Sequence, residues 1–189
     1  MKIQKQLSAL ILTVVLMCAM GVNAYAHDVP DLNRRGTINI TMQQGDIVVG
    51  GGTLTLYHVG TVKEDNGNYG FAFTGDFADC GKSLEDISSP ELASDLADYA
   101  KQHNVLGNTQ NIGEDGKISF ADQELGLFLL VQNKAADGYM PMKPFLVSVP
   151  ISEKDAYVYT VEVSPKVELE KASEPEPVTP TKPGAGTLP

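Results

Sequence analysis

The chain has 189 residues, 42% of them hydrophobic, no tryptophan, and a formal net charge of −10. That length allows one domain of ordinary size plus tails. The acidic balance excludes partners sought by positive charge, such as nucleic-acid phosphates or anionic lipid.

Residues 1–26 carry a secretion signal. Lys2 and Lys5 give a positive start, residues 7–20 are the apolar core, and Ala24-Tyr25-Ala26 forms an A-x-A cleavage site. Cleavage after Ala26 makes His27 the mature N-terminus. The apolar run is too short and wrongly flanked for a membrane span. Met17 before Cys18 is bulky where a lipoprotein signal wants a small residue. Processing leaves 12 basic against 24 acidic residues, a net charge of −12, with Cys80 as the remaining cysteine. An exported chain of this kind has no internal disulfide, and Cys80 reads as a small, partly buried apolar residue.

Residues 27–35 form a polar leader without periodicity, expected to be flexible. Residues 37–42 (TINITM) alternate as a first strand, with Ile38, Ile40 and Met42 on one face. Gly50-Gly51-Gly52 lacks the lysine and hydroxyl of a phosphate loop and is a permissive turn. Residues 53–59 (TLTLYHV) form a second strand with Leu54 and Leu56 inward. His58 follows on that face as a satisfied core-edge histidine. Asn66-Gly67 is a hairpin turn returning into residues 69–73, and its spacing does not match an EF-hand.

The period then changes. Ser89 as N-cap, Pro90 at the first helical position and Glu91 near the positive end open a helix over residues 90–103. Leu92, Leu96 and Tyr99 recur at helical spacing, with Ala93, Ala97 and Ala100 beside them; Asn104 and Gly107 are expected to end it. Strands resume at 117–120 and at 126–131 (GLFLLV), a continuous apolar run that predicts a central strand covered on both faces. Residues 145–150 and 157–163 complete a set of about seven strands, the pattern of a β-sandwich. In the last strand Tyr157, Tyr159, Val161 and Val163 share a face, and Ser164-Pro165-Lys166 interrupts it. From Glu174 the composition turns to Pro, Glu, Thr and Gly, an extended semi-rigid spacer that reaches Leu188-Pro189.

In order, residues 37–42, GGTLTLYHV, SLEDISSPELASDLADYA, DGKISFADQELGLFLLVQNKAADGY, PFLVSVP and VEVSPKVEL resemble the N-terminal domain of Gram-positive, sortase-assembled pilin subunits of the SpaA-like, Cna-B-type class. The resemblance covers residues 36–170. It implies a mainly β, Ig-like (reversed immunoglobulin) sandwich with one inserted α-helix, as domain 36–171. A wall-spanning linker, 172–189, follows, in which Leu188 and Pro189 begin a truncated LPxTG-like sorting signal. The V-E-V-S-P-K run (Val161, Val163, Pro165, Lys166) is similar to the family's VxVYPK pattern, with Ser164 in place of tyrosine. Lys166 is thereby the candidate amine that resolves a sortase acyl-enzyme; a lysine amine is mostly protonated near neutral pH, so the enzyme must supply the base. An ordinary solvated strand-end lysine is the equal alternative.

The family's intramolecular Lys–Asn isopeptide is not expected. Met42 stands in place of the first-strand lysine, Gln132 in place of the usual glutamate, and no asparagine occurs from Phe145 onward. The implied partners are a sortase, peptidoglycan, other pilin subunits and a host surface ligand; no cofactor or metal is implied. The function expected is a structural cell-surface protein, pilin-like and favouring a basal or minor position, anchored to the wall and involved in adhesion. The alternative is a stand-alone secreted or wall-anchored adhesin that is not polymerised. An enzyme is disfavoured: His27, His58 and His103 lack metal-ligand spacing, no serine sits in a nucleophile elbow, and Cys80 has no partner. The acidic run Glu85, Asp86, Glu91, Asp95, Asp98 reads as a solvated face.

Overall fold

The computed structural model describes residues 29–154 and 156–169. The signal segment, His27, and the linker with Leu188 and Pro189 lie outside the described residues. Twelve strands, one α-helix and one 3₁₀ turn follow in order: β1 (Gly36–Thr41), β2 (Gln43–Gln44), β3 (Ile47–Val48), β4 (Thr53–Asp65), β5 (Asn68–Phe73), the 3₁₀ turn Gly75–Phe77, α1 (Pro90–Gln102), β6 (Asn108–Asn111), β7 (Lys117–Gln123), β8 (Gly126–Lys134), β9 (Phe145–Val149), β10 (Ile151–Glu153), β11 (Ala156–Val158) and β12 (Thr160–Val163).

Two sheets face each other. The smaller has the order β12-β1-β7, with β12 parallel and β7 antiparallel to β1. The larger is antiparallel, β5-β4-β8-β9, with β6 continuing β5's side of β4. Between the sheets Ile38, Ile40, Met42, Leu54, Leu56, Phe120, Phe128 and Leu130 form one buried cluster. On the other face of the large sheet, Val59, Leu127 and Leu129 pack under Leu92, Ala93, Leu96 and Ala100 of α1. This explains the unbroken apolar run of β8. Its side chains alternate between two cores, Phe128 and Leu130 toward the small sheet, Leu127 and Leu129 toward the helix.

α1 starts where the sequence places it. The Ser89 Oγ accepts from the Leu92 amide at 3.3 Å, Pro90 occupies the first helical turn, and Glu91 faces the helix's positive end. Its C-terminus meets the expectation at Asn104 and departs from it at Gly107. Asn104 takes the left-handed conformation (φ 54°) and the Val105 amide donates to the Ala100 carbonyl at 2.9 Å, whereas Gly107 plays no capping part. Gly107 is needed because a Cβ there would lie 2.4 Å from Thr55 and 2.8 Å from Tyr57. Replacing Ser89 with alanine removes the cap acceptor and should cost about 1 kcal/mol, read as a lower denaturant midpoint at unchanged slope.

The β4–β5 hairpin turns on Asn66 and Gly67, both at positive φ (52° and 81°), with Asp65 paired to Asn68. Two expectations need correction. Residues 157–163 are not one strand: β11 pairs antiparallel with β10, whereas β12 pairs parallel with β1. The break falls at Tyr159, whose ring is buried and whose hydroxyl accepts from the Asp31 amide at 2.7 Å, while its carbonyl accepts from the Thr37 amide at 2.8 Å. The inward phase of Tyr157, Tyr159, Val161 and Val163 nevertheless survives the break, since all four pack on the inter-sheet core. The leader is also not loose over its described part. Pro30 is buried, the Arg34 guanidinium lies 4.2 Å over the Tyr159 ring, and Arg35 pairs with Asp122 at 2.7 Å.

Candidate functional site

The period-2 pattern of β12 continues past its last ladder pair, Ile40 with Val163. Val161 and Val167 are buried and Val163 half-buried, so residues 162, 164, 166 and 168 point outward. Pro165 brings no amide to the ladder. Immediately after it the chain touches the sheet once more, in an isolated parallel bridge between Lys166 and Gln43. Gln43 is in turn paired with Val48 across the short β2–β3 ribbon. The segment is therefore held by its backbone while the Lys166 side chain stays exposed. Among the described residues Lys166 joins no ion pair.

The surroundings of Lys166 are apolar for a surface. Ile47 and Val48 on the ribbon are 60% and 52% exposed. Leu169, three residues beyond Lys166, bridges Tyr139, and the Met140 amide donates to the Glu168 carbonyl at 2.9 Å. Leu169 and Met140 are themselves about half exposed.

The positions compared with an isopeptide site are built differently. Met42 is fully buried among the inter-sheet apolar residues. Gln132 is buried, and its Oε1 accepts from the Met142 amide at 2.8 Å, tying β8 to the loop before β9. Every lysine among the described residues is exposed. A reactive lysine in such a bond relies on burial to lose its proton, and none of these has it. No sequence signal marks the Gln132 contact, which depends on a loop that folds back over β8.

The remaining polar candidates are structural. His58 stacks on Phe128 at 4.9 Å and its Nε2 lies 3.1 Å from the Gly60 carbonyl; His103 stacks on Tyr99 at 4.2 Å. Cys80 is half-buried against the helix-side core. The Asp86 carboxyl lies below the ordinary carboxylate range because the Ser88 hydroxyl, and then backbone amides, donate to it. Asp95 pairs with Lys82 at 2.6 Å, and Glu91 accepts from the Ser89 hydroxyl at 2.9 Å. These bonds order the approach to α1 and converge on no common point. Among the described residues no group of three or more histidine, cysteine, aspartate or glutamate side chains could hold a metal ion. Nor, among them, is any helix long and apolar enough to cross a membrane.

The described residues thus form a β-sandwich with a helix over one of its sheets. The major pilin SpaD of Corynebacterium diphtheriae has this fold: it matches 75% of this chain over 32% of its own length, at 23% identity and a TM-score of 0.50. The chain has that SpaA-like pilin fold, and it spans about a third of SpaD. Two other solved structures match at lower TM-scores. They are the T6 backbone pilin of Streptococcus pyogenes (0.47, 17% identity, 74% of this chain and 30% of that one) and the SpaA pilin–signal peptide complex of C. diphtheriae (0.46, 21% identity, 72% and 99%). No protein-family model and no curated protein matches the chain.

Proposed function

We propose that this chain is a structural, pilin-like protein of a Gram-positive cell surface, with Lys166 as the amine through which a sortase joins it to a neighbouring subunit. The observation that carries the reading is the Lys166 segment. An exposed primary amine on a flexible stem is presented by a backbone clamped at Gln43 and Leu169, directly after a proline that frees the strand edge. The fold shared with SpaD supports it. In the transfer, the cysteine thiolate of a sortase attacks the threonine carbonyl of a sorting signal, the Thr–Gly peptide bond breaks, the glycine amine leaves with a proton from the enzyme, and a thioester remains. The Lys166 Nζ, deprotonated by the enzyme, attacks that carbonyl; the thiolate leaves and an amide bond remains. Leu188 and Pro189 would open such a signal, and the linker 172–189 would span the peptidoglycan. A non-polymerised adhesin that meets a host ligand is the second reading, favoured by the exposed apolar ribbon at Ile47 and Val48.

Expression of the native gene in a Gram-positive host with and without a pilin sortase separates them. The pilin reading expects boiling-resistant high-mass ladders with the enzyme and none without it; an adhesin gives a single anchored or secreted species in both.

The packing of Met42 and Gln132 favours a domain without an internal cross-link. The intact mass of the purified mature protein should equal its sequence mass, and a deficit of one ammonia would show that a Lys–Asn bond had formed elsewhere.

A further inference from the structure

We propose that an aromatic cavity at the pole opposite Lys166 binds a proline-containing extended peptide, and that its occupant is the proline-rich stretch 175–183 of a second copy of this chain. The poles follow from strand direction. β1 begins beside Tyr159, where the leader enters, and ends just before Gln43, the backbone partner of Lys166. Six residues of strand separate them by roughly 20 Å. The cavity, about 200 Å³, lies at the leader's pole, between the far half of the β4–β5 hairpin and the β10–β11 ribbon.

Its walls are the rings of Tyr69, Phe71 and Tyr157, closed by Pro30 and Pro150. Tyr69 stands apart. Among the described aromatic residues it alone belongs to neither buried cluster, and its cross-strand partner, Glu64, is exposed. Its ring is half-buried in the cavity wall, outside both clusters. No charged side chain lines the cavity, so the prolyl rings of the stretch would enter it while the ionised Glu176 and Lys182 stay in solvent, and the volume is below the roughly 300–1,000 Å³ of a drug-sized pocket. A few small apolar groups fit. Pro30 shows which: a buried prolyl ring from the leader already forms part of the wall.

Ser148 and Ser152 add hydroxyl donors. An extended proline helix makes no internal hydrogen bonds, so its carbonyls are open to such donors, and aromatic grooves are the usual receptors for it. The chain itself carries this ligand chemistry in Pro175, Pro177, Pro180 and Pro183. That stretch follows Leu169, at the Lys166 pole. A spacer of that composition is expected to favour extended conformers over a reversal of the chain, so a neighbouring copy is the better-placed recipient. The cavity's role needs nothing of the linkage chemistry at Lys166, and failure of either leaves the other standing.

The test titrates the isotope-labelled mature chain with a synthetic peptide of residues 173–184. Saturable shifts at Tyr69, Phe71 and Tyr157 are expected, lost in Tyr69→Ala and lost with a peptide whose four prolines are alanine. No shift at millimolar peptide, or equal shifts with the proline-free peptide, overturns the site without reliance on any protein variant. Sedimentation of the mature chain alone should show self-association that weakens at least tenfold in Tyr69→Ala. If instead the tail prolines perturb Tyr69 equally at all protein concentrations, the tail fills its own cavity and the second-copy assignment fails.

Discussion

Lys166→Arg is expected to be exported and folded like the native chain, yet to disappear from every sortase-dependent covalent species. The substitution keeps the positive charge and most of the stem. It removes the nucleophile, because a guanidinium is effectively never deprotonated in a protein. Folding should not suffer, since the Lys166 side chain is exposed and contributes only its backbone to the bridge with Gln43. The control substitutions Lys171→Arg, at the end of the expected domain, and Lys182→Arg, in the linker, should leave the ladder intact. Persistence of the ladder in Lys166→Arg would sink the assignment and return Lys166 to an ordinary solvated strand end. Export with loss of all signal, folded monomer included, would point to degradation, which circular dichroism of the purified variant would reveal.

With Lys166 as the proposed linkage amine, its place also bears on whether the sandwich would need a covalent staple. A link through its side chain, and any pull transmitted by the chain after Leu169, would meet within a few residues of each other at one pole. Tension in such a polymer would run through residues 166–169 and leave both cores unloaded. Ordinary packing would then suffice, in keeping with the apolar burial of Met42 on the first strand.

Much of this fold is legible in the amino-acid sequence, for identifiable reasons. β8 reads as the centre of a sheet because only a strand covered on both faces tolerates six consecutive apolar positions. The start of α1 is sharply marked because Ser89, Pro90 and Glu91 act locally, on the first turn alone. The illegible parts depend on partners distant in sequence. Nothing between residues 157 and 163 announces that the chain changes sheets; that is decided by Asp31 and Thr37, more than a hundred residues earlier, gripping Tyr159. The docked leader is hidden for the same reason, since its arginines find Tyr159 and Asp122 only after folding. At the candidate site, exposure of Lys166 follows from alternation, but its bridge to Gln43 and the apolar ribbon beside it do not.

The largest stability effect should come from β8, the strand shared by both cores. Phe128 is 1% exposed and stacks on His58 at 4.9 Å between the sheets. Truncating it to alanine leaves a cavity that the flanking strands cannot close without breaking ladder bonds to β4 and β9, and should cost about 3–5 kcal/mol. For a domain of this size that lowers the melting temperature by roughly 10–15 °C. Leu129→Ala removes a fully buried side chain from the opposite face, under α1, and should cost about 2–5 kcal/mol. Because neighbouring residues of one strand feed the two clusters, neither core can melt while the other keeps β8 in register. Each variant should therefore lower a single cooperative transition, seen alike by far-ultraviolet circular dichroism for the helix and by tyrosine fluorescence for the sandwich. Two separated transitions, or a cost below about 1 kcal/mol at Phe128, would mean that helix and sandwich are independent and that β8 is not their common centre.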